Sequence, residues 1–164
     1  GYAASAYPYT PAVGLMNGLR AASEMIEAEG LENVFARHRR IADGVRAAVK
    51  GWGLELVAER PEGYSDTVST VRLPDGVDGN AFVSRAAKTY KIAFGTGLGE
   101  VAGKVFRIGH LGILTDVQAL SGIAAAEMVM SDLGMSVVPG SGVAAAQAQY
   151  RATVESPALH MAAE

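Results

Sequence analysis

Arg107 stands among Val105, Phe106, Ile108 and Leu111. A guanidinium in so apolar a run is costly to bury unless an anion meets it, and its planar fork suits two-point capture of a carboxylate. The alternative is a salt bridge at a sheet edge, and residue types alone leave the two open. His38, His110 and His160 lie in three different stretches without the HxxxH spacing or carboxylate company of a metal site, so no metal is expected. His38 falls near the border of an amphipathic face and His160 in the tail; His110, just after the Arg107 run, is the histidine placed to border a pocket. Gly95-Thr96-Gly97-Leu98-Gly99 has the look of a phosphate-cradling loop. It leads into Glu100 and a strand instead of a helix N-terminus, so the anion-binding geometry of a dinucleotide site is missing. What remains is a loop whose glycines permit close backbone approach, either beside a site or simply joining two strands.

The elements that must position these residues are legible from spacing. Thr10-Pro11 reads as a helix start with a capping hydroxyl, and Leu15, Leu19, Ala22 and Ile26 follow at helical intervals until Gly30. A second helix carries Leu31, Val34, Phe35, Ile41, Val45, Ala48, Val49 and Trp52 on one face, with Arg37, Arg39, Arg40, Asp43 and Arg46 on a face expected to be solvated. Residues 54–57 and 67–72 read as strands, Asp78 as the cap of a helix containing Ala81, Phe82, Ala86 and Tyr90, and residues 91–94 as a brief strand. Lys104 to Gly109 form a further strand, and a helix follows from about 115 to 133. Beyond Met135, Pro139-Gly140-Ser141-Gly142 introduces an extended segment, a short helix and a tail. This order predicts an α+β layer, a small antiparallel or mixed sheet with helices packed on one face.

Composition sets the bounds. The chain has 164 residues, 49% hydrophobic and 19% charged, with 17 acidic and 14 basic residues spread along its length, so no extended attraction for nucleic acid is expected. No apolar stretch approaches the roughly 20 residues of a membrane helix, so no membrane partner is expected. Cysteine is absent, which removes disulfides and thiolate metal sites and points to a reducing compartment, the cytoplasm. The opening Gly1-Tyr2-Ala3-Ala4-Ser5 lacks both an initiator Met and a targeting pattern, and reads as a sequence beginning inside a longer polypeptide.

Three segments together resemble a known family: Gly30-Leu31-Glu32-Asn33-Val34-Phe35-Ala36-Arg37-His38-Arg39, then Gly97-Leu98-Gly99, then Gly103-Lys104-Val105-Phe106-Arg107-Ile108-Gly109-His110-Leu111-Gly112. In this order and spacing they resemble the class V aminotransferases of the serine/alanine–glyoxylate group, over residues from about 7 to 150. The closing Pro139-Gly140-Ser141-Gly142-Val143-Ala144-Ala145-Ala146 is similar to bacterial serine–glyoxylate members in particular.

The resemblance implies the C-terminal small domain of a fold-type-I pyridoxal-phosphate enzyme. Residues 1–30 would end the large-domain link and start the connecting helix, 31–134 form the small domain, and 135–164 form an extension. It implies that Arg107 binds the substrate α-carboxylate. Tyr7 and Thr10 match a Tyr-x-x-Thr that reaches the partner subunit's cofactor phosphate in a homodimer, although Pro11 directly after Thr10 departs from the pattern. The family's cofactor lysine, its pyridine-pairing aspartate and its ring-stacking aromatic belong to an upstream large domain. Lys50, Lys88, Lys91 and Lys104 lie in no comparable setting. Lys104 also stands three residues before Arg107 on a strand, an odd spacing that turns the two to opposite faces. The expectation is an aminotransferase that gives glycine from glyoxylate and serine, aspartate or alanine, with small amino and oxo acids as ligands, and a chain inactive by itself. A non-catalytic small-carboxylate-binding or interaction domain is the alternative.

Overall fold

A computed structural model describes residues 9–154, which form two compact units divided after Ala36. The first carries helix α1 (Val13–Glu29), in which Leu15, Met16, Leu19 and Ile26 all stay exposed. Thr10 does not cap it. The N-cap position falls at Ala12 with no side-chain bond, because Val13 N donates to Pro11 O at 2.9 Å and this extra turn starts the helix beyond reach of the hydroxyl. Gly30, with φ 85°, ends α1 by donating its N–H to Ile26 O.

Helix α2 (Leu31–Gly51) continues into the second unit, where Ile41, Ala42, Val45, Ala48 and Val49 are buried. Its basic face is less solvated than its composition implies. Arg46 bridges Asp43 of its own helix at 2.7 Å and Asp66 at 3.1 Å, and Arg40 pairs with Asp116, because the Asp66 and Asp116 carboxylates from distant segments fold against this side of the helix. Arg40 also donates to Thr153 and lies over the Tyr150 ring, whose hydroxyl donates to Ile41 O at 3.2 Å. Burial pushes the Tyr150 phenol up to about 12.

Three strands form one antiparallel sheet in the order β1-β3-β2: β1 (Val68–Arg72), β2 (Gly95–Thr96) and β3 (Val105–Gly109). Residues 54–57 contribute only a bridge from Leu56 to Val71, flanked by Val57 N donating to Thr70 O and Arg72 N donating to Glu55 O. The strand expected at 91–94 is not there. Helix α3 (Gly79–Arg85), capped by the Asp78 carboxylate as expected, runs on into a π turn (Ala86–Tyr90). Lys91 then adopts a left-handed conformation and Ile92 N donates back to Ala86 O, so this backbone closes a helix and pairing is deferred to Gly95 and Thr96.

The sheet has two unlike faces. Ser69, Val71, Phe106 and Ile108 alternate along β1 and β3 on one face and are all buried. They join Ile41, Val45 and Val49 of α2, Ile123 and Met130 of α4 (Asp116–Asp132), and Ala146 and Tyr150 of α5 (Ser141–Val154) in one core. Phe82, Phe94 and Phe106 form its aromatic centre, with the Phe82 and Phe106 rings stacked 4.0 Å apart. The helices therefore cover one face, as the α+β pattern predicts. Thr115 starts α4 with a reciprocal capping box to Gln118. On the other face Val68, Thr70, Gly95 and Arg107 remain half-buried, and Arg72 and Gly109 exposed.

Candidate functional site: an arginine on the open sheet face

Arg107 occupies the middle of the central strand, opposite Thr70 on β1 and Gly95 on β2. This placement removes the sheet-edge alternative, and among the described residues no carboxylate pairs with it. Its one hydrogen bond runs from Nε to Thr96 O at 2.9 Å. That bond pins the root of the guanidinium and occupies the nitrogen needed for side-on capture. The two terminal nitrogens remain as a fork, and a carboxylate meeting Arg107 must come end-on. Sequence reasoning singled out the arginine. It missed the backbone carbonyl that orients it, because a carbonyl has no residue signature.

Gly95 belongs to this site and not merely to a connecting loop. A methyl group there would lie 3.0 Å from Arg107 Nε and 3.1 Å from its Cβ, so the bare glycine is what lets the arginine lie along β2.

His110 does not border this face. It is fully buried with the core-facing residues, where Nδ1–H donates to Asp66 O at 3.2 Å and Nε2 accepts from the Ser69 hydroxyl at 2.9 Å. Burial holds its pKa below the usual histidine value; the bond to the Asp66 carbonyl opposes that, and the Arg46 charge adds to it. The neutral ring is a structural tie between β1 and the segment after β3. His38 accepts from Gly112 N at 3.2 Å, and His160 lies outside the described residues. Among the described residues no cluster of three or more His, Asp or Glu is arranged to hold a metal.

Of the two residues matched to a cofactor phosphate, Tyr7 lies outside the described residues. Thr10 is exposed, and among the described residues its hydroxyl has no partner. All four lysines, Lys50, Lys88, Lys91 and Lys104, are exposed, so none sits in a pocket that would desolvate an amine for Schiff-base chemistry.

A second charged group escaped sequence reasoning. Glu127, buried on α4, accepts from Trp52 Nε1 at 2.9 Å, Gly140 N at 2.7 Å, Gly142 N at 2.7 Å and Val143 N at 3.2 Å. It ties the first turn of α5 to Trp52, just past the end of α2, and a helix start is a favourable place for a carboxylate because unpaired N–H groups point outward there. Gly142 permits the approach, since a methyl group would meet Trp52 Nε1 at 2.2 Å. The available signal was a lone acid inside an Ala- and Met-rich helix.

No family model matches the chain. It is 70% identical to an L-aspartate–glyoxylate aminotransferase of Paracoccus denitrificans, covering 93% of this chain and 39% of that protein. It is 54% identical to a serine–glyoxylate aminotransferase of Hyphomicrobium methylovorum, covering 88% of this chain and 35% of the relative. A crystal structure of pyridoxamine–pyruvate aminotransferase from Mesorhizobium loti superposes with a TM-score of 0.85 at 36% identity, over 92% of this chain and 38% of that one. The chain has the fold of the class V aminotransferases. It matches their C-terminal part and spans between 35% and 39% of the two curated relatives above. The open face with Arg107 and the helix-covered face with His110 are thus two sides of a fold found within larger enzymes of known structure.

Proposed function

We propose that this chain is the carboxylate-binding portion of a pyridoxal-phosphate-dependent aminotransferase that transfers an amino group from a small amino acid to glyoxylate, giving glycine. The observation that carries this reading is Arg107, a half-buried guanidinium on a central strand with its terminal fork free and its Nε held. The α-carboxylate of a small amino or oxo acid is the complement of that fork. The 70% identity to an aspartate–glyoxylate enzyme, against 54% to a serine–glyoxylate enzyme, supports aspartate as the amino donor. Turnover of the complete protein with aspartate, serine and alanine tests this choice, with aspartate expected to be fastest.

Pyridoxal phosphate supplies an electron sink for the substrate Cα when it is bound. The four lysines of this chain are exposed, so its residues do not fit the covalent attachment of that cofactor. The chain's part is binding and orientation. Arg107 takes the carboxylate end-on, which fixes the Cα bonds relative to the sheet, and the Thr96 carbonyl stops the fork from rotating. In a homodimer, Tyr7 and Thr10 would donate hydroxyls to the phosphate of the partner subunit's cofactor, a role that the exposed, unpartnered hydroxyl of Thr10 fits.

The chain alone, given glyoxylate, aspartate and pyridoxal phosphate, is expected to form no glycine above the uncatalysed rate. Glycine formed at enzymatic rates would overturn the division of labour proposed here. In the complete protein, Arg107→Ala should weaken glyoxylate capture by roughly 30- to 150-fold, the worth of a charged two-point hydrogen bond, while the cofactor's absorbance stays intact. Loss of the cofactor instead would make Arg107 structural. Calorimetric binding of glyoxylate to the chain alone, with no activity in the complete protein, would favour a non-catalytic carboxylate-binding domain.

A further inference from the structure

We propose that Gly95 is a positioning residue for substrate binding, one that acts only through Arg107; this rests on the reading of Arg107 as the carboxylate ligand. Gly95 pairs directly with Arg107, so a side chain at either position projects from the same face of the sheet. Paired residues in an antiparallel ladder normally keep their Cβ atoms about 4.5–5.5 Å apart. A Cβ at residue 95 would instead lie 3.1 Å from Arg107 Cβ, 3.0 Å from Nε and 3.4 Å from Cζ. These three atoms run from the root of the side chain to its head, so the arginine lies along the strip of β2 that the glycine leaves bare.

The consequence concerns the next residue. From that strip Nε reaches Thr96 O at 2.9 Å. A methyl group at 95 would crowd Cβ, Nε and Cζ at 3.0–3.4 Å, so the arginine must give by a few tenths of an ångström, and the Thr96 bond and the aim of the fork shift with it. The chain would keep the charge and lose the direction. Leu98 and Gly99, in the same glycine-rich stretch, are exposed and make no comparable demand on Arg107. Gly95 and the Thr96 carbonyl thus form a guide that converts a flexible arginine into an end-on carboxylate clamp.

The test uses the complete protein with Gly95→Ala, Arg107→Ala and the double variant. Gly95→Ala is expected to raise the KM for glyoxylate by roughly 3- to 10-fold, the cost of shifting a positioning group by a fraction of an ångström, with kcat changed far less. The cofactor's absorbance and the rate of the half-reaction with an amine lacking a carboxylate, measured without glyoxylate, should stay as in the parent. In the Arg107→Ala background the added methyl has no guanidinium to displace, so it should have no further effect on glyoxylate kcat/KM. Full additivity in the double variant, or equal losses with and without a substrate carboxylate, would make Gly95 a structural glycine and overturn the proposal. A Gly95→Ala protein that fails to fold while the double variant folds supports it; failure of both overturns it. If Arg107→Ala impairs glyoxylate capture and Gly95→Ala does not, only the Gly95 assignment falls. If Arg107→Ala has no carboxylate-specific effect, the reading of Arg107 falls first.

Discussion

Glu127 and Arg107 are both charged side chains set against the body of the domain, and the chain treats them in opposite ways. Glu127 receives four donors from two parts of the sequence, on both of its oxygens. Among the described residues Arg107 receives a single carbonyl, and that acceptor engages Nε and leaves both terminal nitrogens without a partner. Burial of a charge is tolerated when partners replace water, so Glu127 needs nothing from outside. Arg107 remains half-buried and unfinished, and its geometry admits one planar anion from one direction. The difference separates a charge that builds the fold from a charge that awaits a ligand.

The largest expected effect breaks the comparison on its structural side. Glu127→Ala would strand the Trp52 indole N–H and the first N–H groups of α5 in a buried site. The cost in unfolding free energy should be on the order of 3 kcal/mol, from several orphaned donors at about 1–3 kcal/mol each with partial relief by water. Urea unfolding of Glu127→Ala beside the parent measures it. A loss below about 1 kcal/mol would mean that Glu127 is not the tie between α4, α5 and Trp52 that its bonds describe.

The two sites differed just as much in how far they could be read from sequence. The alternation at 67–72 and 104–109 placed Arg107 on a strand and made it stand out, because one basic residue breaks an apolar period. The α+β layering followed from the same periods. Neither the pairing partner of Arg107 nor the Thr96 carbonyl was legible, since register is set by three-dimensional closure. The strand expected at 91–94 failed for a related reason: its apolar residues bury Phe94, but its backbone is used in ending the preceding π turn. Thr10 had the right residue type for a cap and lost that role to a backbone turn at Pro11. Glu127 meets Trp52 across 75 positions, a separation that no local pattern announces.

A second prediction sharpens the contrast through His110, which stands beside β3 but belongs with Glu127 among the completed groups. Its pKa in the folded chain lies below the ordinary 6.5 because burial disfavours the charged ring. Below that pH the unfolded chain takes up a proton that the folded chain refuses, so stability is complete above about 6.5 and declines as pH falls toward the folded value. The decline cannot exceed about 1.4 kcal/mol per pH unit, the limit for one proton. His110→Asn should flatten the slope between pH 6.5 and 5.5 in a series of urea titrations, leaving the carboxylate-driven loss at lower pH. An unchanged slope would remove His110 from the set of satisfied buried groups.

The smallest effect is the most telling about Arg107. A side chain whose terminal nitrogens have no partner among the described residues contributes little to holding the chain together, and Thr96 O can take water in place of Nε on this half-buried face. Arg107→Ala should therefore shift the unfolding free energy by no more than about 0.5 kcal/mol, the range of substitutions remote from core contacts. The same variant is expected to impair glyoxylate capture by a far larger factor. Arg107→Lys should be equally mild for stability but should fail to restore capture fully, because an ammonium cannot keep the Thr96 bond and offer two parallel donors at once. Unfolding curves for both variants, set beside their KM values, read the two quantities independently. A loss of 2 kcal/mol or more in Arg107→Ala would mean that the chain had already spent this arginine on its own fold, and the contrast with Glu127 would disappear.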